Sequence, residues 1–256
     1  MSPVWPTRRA FAVWWRNLES WKRFAPSFFA SALGQPVFYL LAMGYGLGRF
    51  VTDIDGVPYS VFLTPAIVAM AAMNSATFET TFGAFTRMTE QHTYTAILAT
   101  PCTVADIVAG DVLWAATKSA LSASAVVLVT LPFGLLHGGG LVLLLPVGFL
   151  AGLMFGALGM IATARAPGYD YFNYYFTFAI SVMMFLSGVF FPMASLPAGM
   201  RALAWLMPLT HAVVLARACA QGVLDLHVAI ALAWMALVTV VAYALAERLI
   251  RRRLLV

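Results

Sequence analysis

Residues 119–164, SALSASAVVLVTLPFGLLHGGGLVLLLPVGFLAGLMFGALGMIATA, run for 46 positions without Asp, Glu, Lys or Arg. A helix rising roughly 1.5 Å per residue needs about 20 apolar residues to cross a bilayer. The stretch therefore holds most of one crossing and all of another, interrupted at His137-Gly138-Gly139-Gly140. Outward from it, four more charge-free gaps each hold one crossing: Arg23 to Arg49, Asp55 to Glu79, Asp170 to Arg201 and Asp225 to Glu247. The runs are continuously apolar and lack the alternation of a transmembrane barrel. The sequence predicts an all-α membrane protein with six transmembrane helices, at about 27–48, 59–82, 108–132, 141–163, 172–191 and 227–248. Composition agrees, since 62% of residues are apolar and 10% charged, with mean hydropathy +0.88. A soluble domain carries about a quarter charged residues. A soluble enzyme, a DNA-binding module and a disordered tail are excluded.

Basic residues set the expected orientation. Arg8, Arg9, Arg16, Lys22, Arg23, Arg87, Arg165, Arg248, Arg251, Arg252 and Arg253 fall on one side, and Arg49, Arg201 and Arg217 on the other. Lys118 lies within a span. The positive-inside rule then gives an N-in, C-in chain. The net charge of +5 is a topology signal and implies no nucleic-acid partner. A cleavable leader is not expected, because the first apolar run starts late and lacks a small-residue exit. Cys102 and Cys219 fall on opposite sides, so no disulfide between them is expected, and neither has metal-ligand spacing.

Three segments are not simple spans. In residues 1–26, Phe11, Trp14, Trp15, Leu18 and Trp21 form one apolar stripe beside Arg9, Arg16 and Arg23. That pattern predicts an amphipathic helix in the membrane interface, its arginines on anionic headgroups. It serves as an anchor, or frames a lateral entrance for an amphiphile. The loop 84–107 carries Arg87, Glu90, His92 and Tyr94, then Ala96 to Ala99, before Pro101 stops the run and Thr103 offers a cap. It is a solvated connector, or a rigid lever against a partner. In 192–226, two apolar runs flank Pro208, each too short to cross. They read as an outer re-entrant hairpin.

Catalytic motifs are scarce. No Gly-Lys dipeptide occurs, so a phosphate-binding P-loop is excluded. Ser187 and His211 are the residues an intramembrane serine hydrolase would use, although small residues in spans are usually packing positions. Gly148, Gly152 and Gly156 mark a smooth helix face of that kind. Intramembrane polar residues face a bundle interior or a watery path. They are Asn74 and Glu79 on the second span and Asp111 and Lys118 on the third. Glu79 and Lys118 meet across an antiparallel pair, fixing two helices or transmitting motion from the 84–107 loop. Tyr171, Tyr174, Tyr175 and Phe178 belong to an aromatic cluster opening the fifth span. It forms an interfacial belt, or supplies faces for sugar rings or acyl chains along a substrate path.

The stretch Ser187-Gly188-Val189-Phe190-Phe191-Pro192-Met193, with Leu196-Pro197 and Pro208-Leu209-Thr210-His211, resembles the outer-loop signature of type-2 ABC exporter permeases. Thr95 to Pro101 and Asp106 to Lys118 are most similar to the lipooligosaccharide exporter permeases of the nodulation protein J type. The resemblance implies a permease of residues 27–256 in a bacterial inner membrane, with no cofactor of its own. It further implies a separate ATPase that binds ATP and Mg, a coupling helix in 84–101, a second copy of the chain and an amphiphilic lipooligosaccharide or glycolipid as cargo. Hydrophobic drug exporters share the outer-loop signature, so a drug is the alternative cargo.

Overall fold

The protein is described by a computed structural model covering residues 5–255 apart from 52, 55, 136–138 and 224. His137 and Gly138 of the expected break lie outside the described residues. The chain is almost wholly helical. Helix α1 spans Ala10–Lys22 and α2 spans Ala25–Tyr39. A two-residue ribbon pairs β1 (Asp53–Ile54) with β2 (Val57–Pro58) ahead of α3, Tyr59–Phe78. Through a π turn at Glu79–Gly83, α3 runs into α4, Ala84–Thr89. After the short α5 (Thr93–Leu98) come α6 (Val104–Thr130) and α7 (Leu144–Arg165). Then follow α8 (Asp170–Tyr174), a π segment Tyr175–Ser181 and α9 (Val182–Leu186). Helices α10 (Ala198–Leu206), α11 (Pro208–Gln221) and α12 (Leu226–Leu255) complete the chain.

Among the described residues, four continuous helical stretches are long and apolar enough to cross a membrane: Tyr59–Thr89, Val104–Phe133, Leu141–Arg165 and Leu226–Leu255. They correspond to the expected second, third, fourth and sixth spans. The expected spans at 27–48 and 172–191 are composite helices. Pro36 supplies no N–H inside α2, which continues as a π segment Leu40–Gly46 and a 3-10 turn Leu47–Arg49. The α8–α9 rod ends at Leu186, because Gly188 adopts φ +70°.

The loop expected at 84–107 is shorter than its sequence suggested. Helical backbone continues to Thr89 and restarts at Val104. Thr103 and Asp106 form a reciprocal capping box at that restart. Asp106 also accepts from the Thr7 backbone N–H at 2.6 Å, tying the segment ahead of α1 to α6.

In the outer segment α10 and α11 meet at 85°, a bend that a broken span or a re-entrant loop would show. One extended residue, Met207, joins them, held out of the helical region by Pro208. Thr210 Oγ1 donates to the Ala204 carbonyl at 2.6 Å and His211 Nε2 to that of Trp205 at 2.9 Å. The Ala204 carbonyl also takes the Met207 N–H at 3.0 Å, so both side chains tie α11 to the carbonyl end of α10.

At the centre, α3 packs on α6, α7 and α11. A Cβ built on Gly148 would sit 2.6 Å from Ala123 Cβ, and one on Gly152 the same distance from Ala116 Cα. Small residues let the α6 and α7 backbones approach, and lipid adds little drive of its own. Ser119 Oγ then reaches the Ala72 carbonyl at 2.8 Å. On the opposite end, Arg253 Nη1 caps α7 through the carbonyls of Thr163 and Ala166, at 2.8 and 2.7 Å.

Gly152→Val is expected to cost about 1–3 kcal/mol by overpacking and to lower the unfolding temperature in detergent. Gly168→Ala, where an added Cβ meets nothing within 4 Å, is expected to leave that temperature unchanged.

Candidate functional site

The α1, α3, α5 and α6 helices converge on two buried carboxylates. Asp111 is fully buried and Glu79 is 7% exposed. An ionised side chain at this depth requires a partner, and each acid has more than one. Glu79 Oε1 takes Arg87 Nη1 at 2.6 Å, while Oε2 takes Lys118 Nζ at 2.7 Å. Asp111 Oδ2 faces Arg87 Nη2 at 3.3 Å and accepts a short hydrogen bond from the Tyr94 hydroxyl. Asp111 Oδ1 accepts from Asn17 Nδ2 at 2.6 Å. Arg16 adds Nη1 to Asn17 Oδ1 at 3.0 Å and Nη2 to Thr93 Oγ1 at 3.3 Å. Arg87 thus bridges the acids of two helices, and Tyr94 links the short α5 to the bundle.

Electrostatics follow from burial. Burial foremost, then the Asp111 carboxylate, push the Tyr94 phenol well above its ordinary value, so it stays a hydrogen-bond donor. Burial and the neighbouring Arg87 guanidinium lower the pKa of Arg16, against the opposing pull of Asp111.

Several expected residues stand elsewhere than the sequence suggested. Arg87 lies on the helical extension of α3, and Tyr94 is 1% exposed, so neither offers a free docking surface. Glu90 and His92 are exposed, and His92 turns the chain into α5 at φ 49°. A non-glycine residue in that left-handed region marks a constrained turn. Arg16, expected on headgroups, turns inward to hydrogen-bond Asn17 and Thr93. Helix α1 docks on α6 through Ala10, Val13 and Asn17, and Val13 occupies the space a Cβ on Gly110 would need. Phe11 and Trp15 remain exposed beside this contact, Trp14 Nε1 donates to Thr117 Oγ1 at 2.9 Å, and Trp21 packs edge-on against Trp114.

Beyond Lys118 opens a cavity of about 620 Å³ between α2, α3, α6 and the π segment at Tyr175–Ser181. Its aromatic wall includes Trp21, Phe28, Phe78 and Phe176, and its polar groups include Asn74, Ser75, Lys118, Ser122 and Ser181. Of the expected path residues Tyr171, Tyr174, Tyr175 and Phe178, none lines it. Tyr174 and Phe178 are 66% and 71% exposed. The π segment shifts the helical phase, so Phe176, Ile180 and Ser181 face inward instead.

Ser187 and His211 form no hydrogen bond with each other among the described residues, and His211 Nε2 is committed to Trp205. No group of three or more potential metal ligands occurs among the described residues. Asn17 and the inward turn of Arg16 were missed by sequence reasoning. The only signal was a polar residue on the α1 face that also carries Ala10 and Val13.

Residues 8–220 match the family of ABC-2 type transporters. Among similar relatives is Nodulation protein J of Rhizobium leguminosarum bv. viciae, 41% identical over 244 residues, covering 95% of this chain and 94% of the relative. Nodulation protein J of Rhizobium meliloti is 40% identical over 244 residues, covering 95% and 93%. The Azorhizobium caulinodans protein of that name is 30% identical over 181 residues, covering 71% of each chain.

Arg87→Met leaves Asp111 without a cationic partner and Glu79 with Lys118 alone, and is expected to cost about 3–5 kcal/mol, read as a lowered unfolding midpoint in detergent. Asn17→Ala removes one of the hydrogen bonds to Asp111 and is expected to cost about 1–3 kcal/mol.

Proposed function

Because this chain belongs to the ABC-2 type transporter family and is a multi-pass membrane transport protein, we propose that it is the permease subunit of an exporter. Its cargo is an amphiphilic lipooligosaccharide or glycolipid, moved outward across a bacterial inner membrane. A separate ATPase binds ATP and Mg and supplies the work. Two copies of the chain act together, each crossing six times with both tails inside. The four continuous spans and the two composite helices support that count, and the basic residues clustered at the tails and at Arg87 and Arg165 support the orientation.

The observation that carries this reading is the unbroken polar path from α5 to the cavity. Exposed Glu90, Gln91, His92, Thr95 and Ala96 give α5 a surface for the ATPase, while its other face holds Tyr94. Tyr94 holds Asp111, Asp111 faces Arg87, Arg87 holds Glu79, and Glu79 holds Lys118 at the cavity wall. Closure of the ATPase pair displaces α5, and the path carries that displacement into α3 and α6. The cavity between those helices changes shape as a result, and no bond is made or broken in this chain. Aromatic walls beside serines and Asn74 suit a molecule with both acyl and sugar parts. The naming of the relatives for nodulation fits that cargo class.

The complex reconstituted with its ATPase tests the path. Tyr94→Phe keeps the buried ring and removes the hydroxyl, so ATPase association is expected to persist while cargo moved per ATP falls several-fold. Transport at the unaltered ratio contradicts the path. Stimulation of hydrolysis by hydrophobic drugs, with none by lipooligosaccharide, moves the cargo reading to drug export.

A further inference from the structure

The polar cluster carries three cations against two carboxylates, and one of the cations opens to the cavity. Arg16, Arg87 and Lys118 stand against the carboxylates of Glu79 and Asp111. Lys118 is the member that lines the cavity. Its ammonium has three donors, of which Glu79 Oε2 takes one at 2.7 Å, and it lies 4.9 Å from the centre of the Phe28 ring. Glu79 does not depend on Lys118 alone, because its other oxygen is held by Arg87 at 2.6 Å. If Lys118 turned to a new anion, Glu79 would keep a cationic partner, and no buried carboxylate would be stranded. The Ser75 hydroxyl, on the same cavity wall, has no hydrogen-bond partner among the described residues. Two π segments, Glu79–Gly83 and Tyr175–Ser181, flank this end of the cavity, and such turns frequently accompany functional sites.

We propose that Lys118, with Ser75 beside it, recognises the anionic headgroup of an amphiphile whose apolar chain lies along Trp21, Phe28 and Phe176. The headgroup competes with Glu79 for the ammonium. Occupancy of the cavity then loosens the Glu79–Lys118 link on which the path to α5 rests. The inference deepens the exporter reading and rests on it for the cavity being where an amphiphile binds. A phosphate, sulfate or carboxylate headgroup satisfies the chemistry, whether on a cargo molecule or on a membrane lipid.

The chain in phosphatidylcholine nanodiscs tests this with two probes, a brominated alkyl phosphate and the brominated alcohol of the same chain length. Bromine quenches tryptophan fluorescence at close range, and the part of the quenching lost in Trp21→Phe reports the cavity. The phosphate probe is expected to reach half-quenching at an about tenfold lower concentration than the alcohol, the worth of one charge-assisted hydrogen bond. Lys118→Arg should keep that preference. The double variant Glu79→Gln, Lys118→Met, which leaves no unpaired Glu79, should abolish it, and Glu79→Gln alone should strengthen it by freeing the ammonium. Equal quenching by both probes, or a preference that survives the double variant, overturns the headgroup assignment while leaving an amphiphile in the cavity. No Trp21-dependent quenching by either probe overturns the cavity reading as well. Displacement of the phosphate probe by phosphatidylglycerol in the disc identifies a bilayer lipid as the occupant. Retention of the probe identifies cargo, and both results uphold the anionic site.

Discussion

Two carboxylates buried in the helical bundle constrain what surrounds them. Asp111 and Glu79 lie where ionised groups are costly, and the chain meets that cost with Arg87, Lys118, Asn17 and Tyr94. None of these partners is close to both acids in sequence. Asn17 comes from the helix before the spans, Tyr94 from the short helix between them, and Arg87 from α4. Satisfying the acids therefore forces four segments together. The neutralising groups are at once the structural clamp and the mechanical connection.

That clamp explains features that otherwise look unrelated. Arg87 must reach both acids, so α3 remains helical through a π turn and into α4, well past the point where an apolar span would end. Helix α1 is drawn onto α6 because Asn17 is needed at Asp111, and Gly110 provides room for Val13 to follow. Its aromatics Phe11 and Trp15 stay free for the membrane as a by-product of that docking. The cavity begins where the cluster ends, at Lys118, so motion of α5 and occupancy of the cavity act on the same ion pairs.

Fold class and most helix positions were legible in the charge-free gaps, because burial in hydrocarbon is a one-dimensional constraint. The same is true of Gly148, Gly152 and Gly156, whose spacing of four places them on one helix face. Glu79 and Lys118 were readable as a pair from the antiparallel order of two adjacent spans. What stayed hidden depends on three-dimensional choices. Tyr94 and Arg16 look like surface residues in sequence, and only their partners in the folded chain, Asp111 for the one and Asn17 and Thr93 for the other, turn them inward. The cavity wall falls on Phe176 and Ser181 instead of Tyr174 and Phe178 because a π segment changes the helical phase, and no local residue pattern announced it. The elbow at Met207 was half-legible: Pro208 marked the break, while the angle depended on a connection one residue long.

The central claim is that Tyr94 and Glu79 belong to one energetic unit although they share no contact. A double-mutant cycle on Tyr94→Phe and Glu79→Gln, measured as unfolding free energy in mixed detergent micelles, tests it directly. A shared network predicts a coupling energy above about 0.5 kcal/mol, whereas independent sites add to within roughly 0.3–0.5 kcal/mol. Strict additivity would mean that α5 and the cavity wall are stabilised separately, and the proposed connection between them would be contradicted.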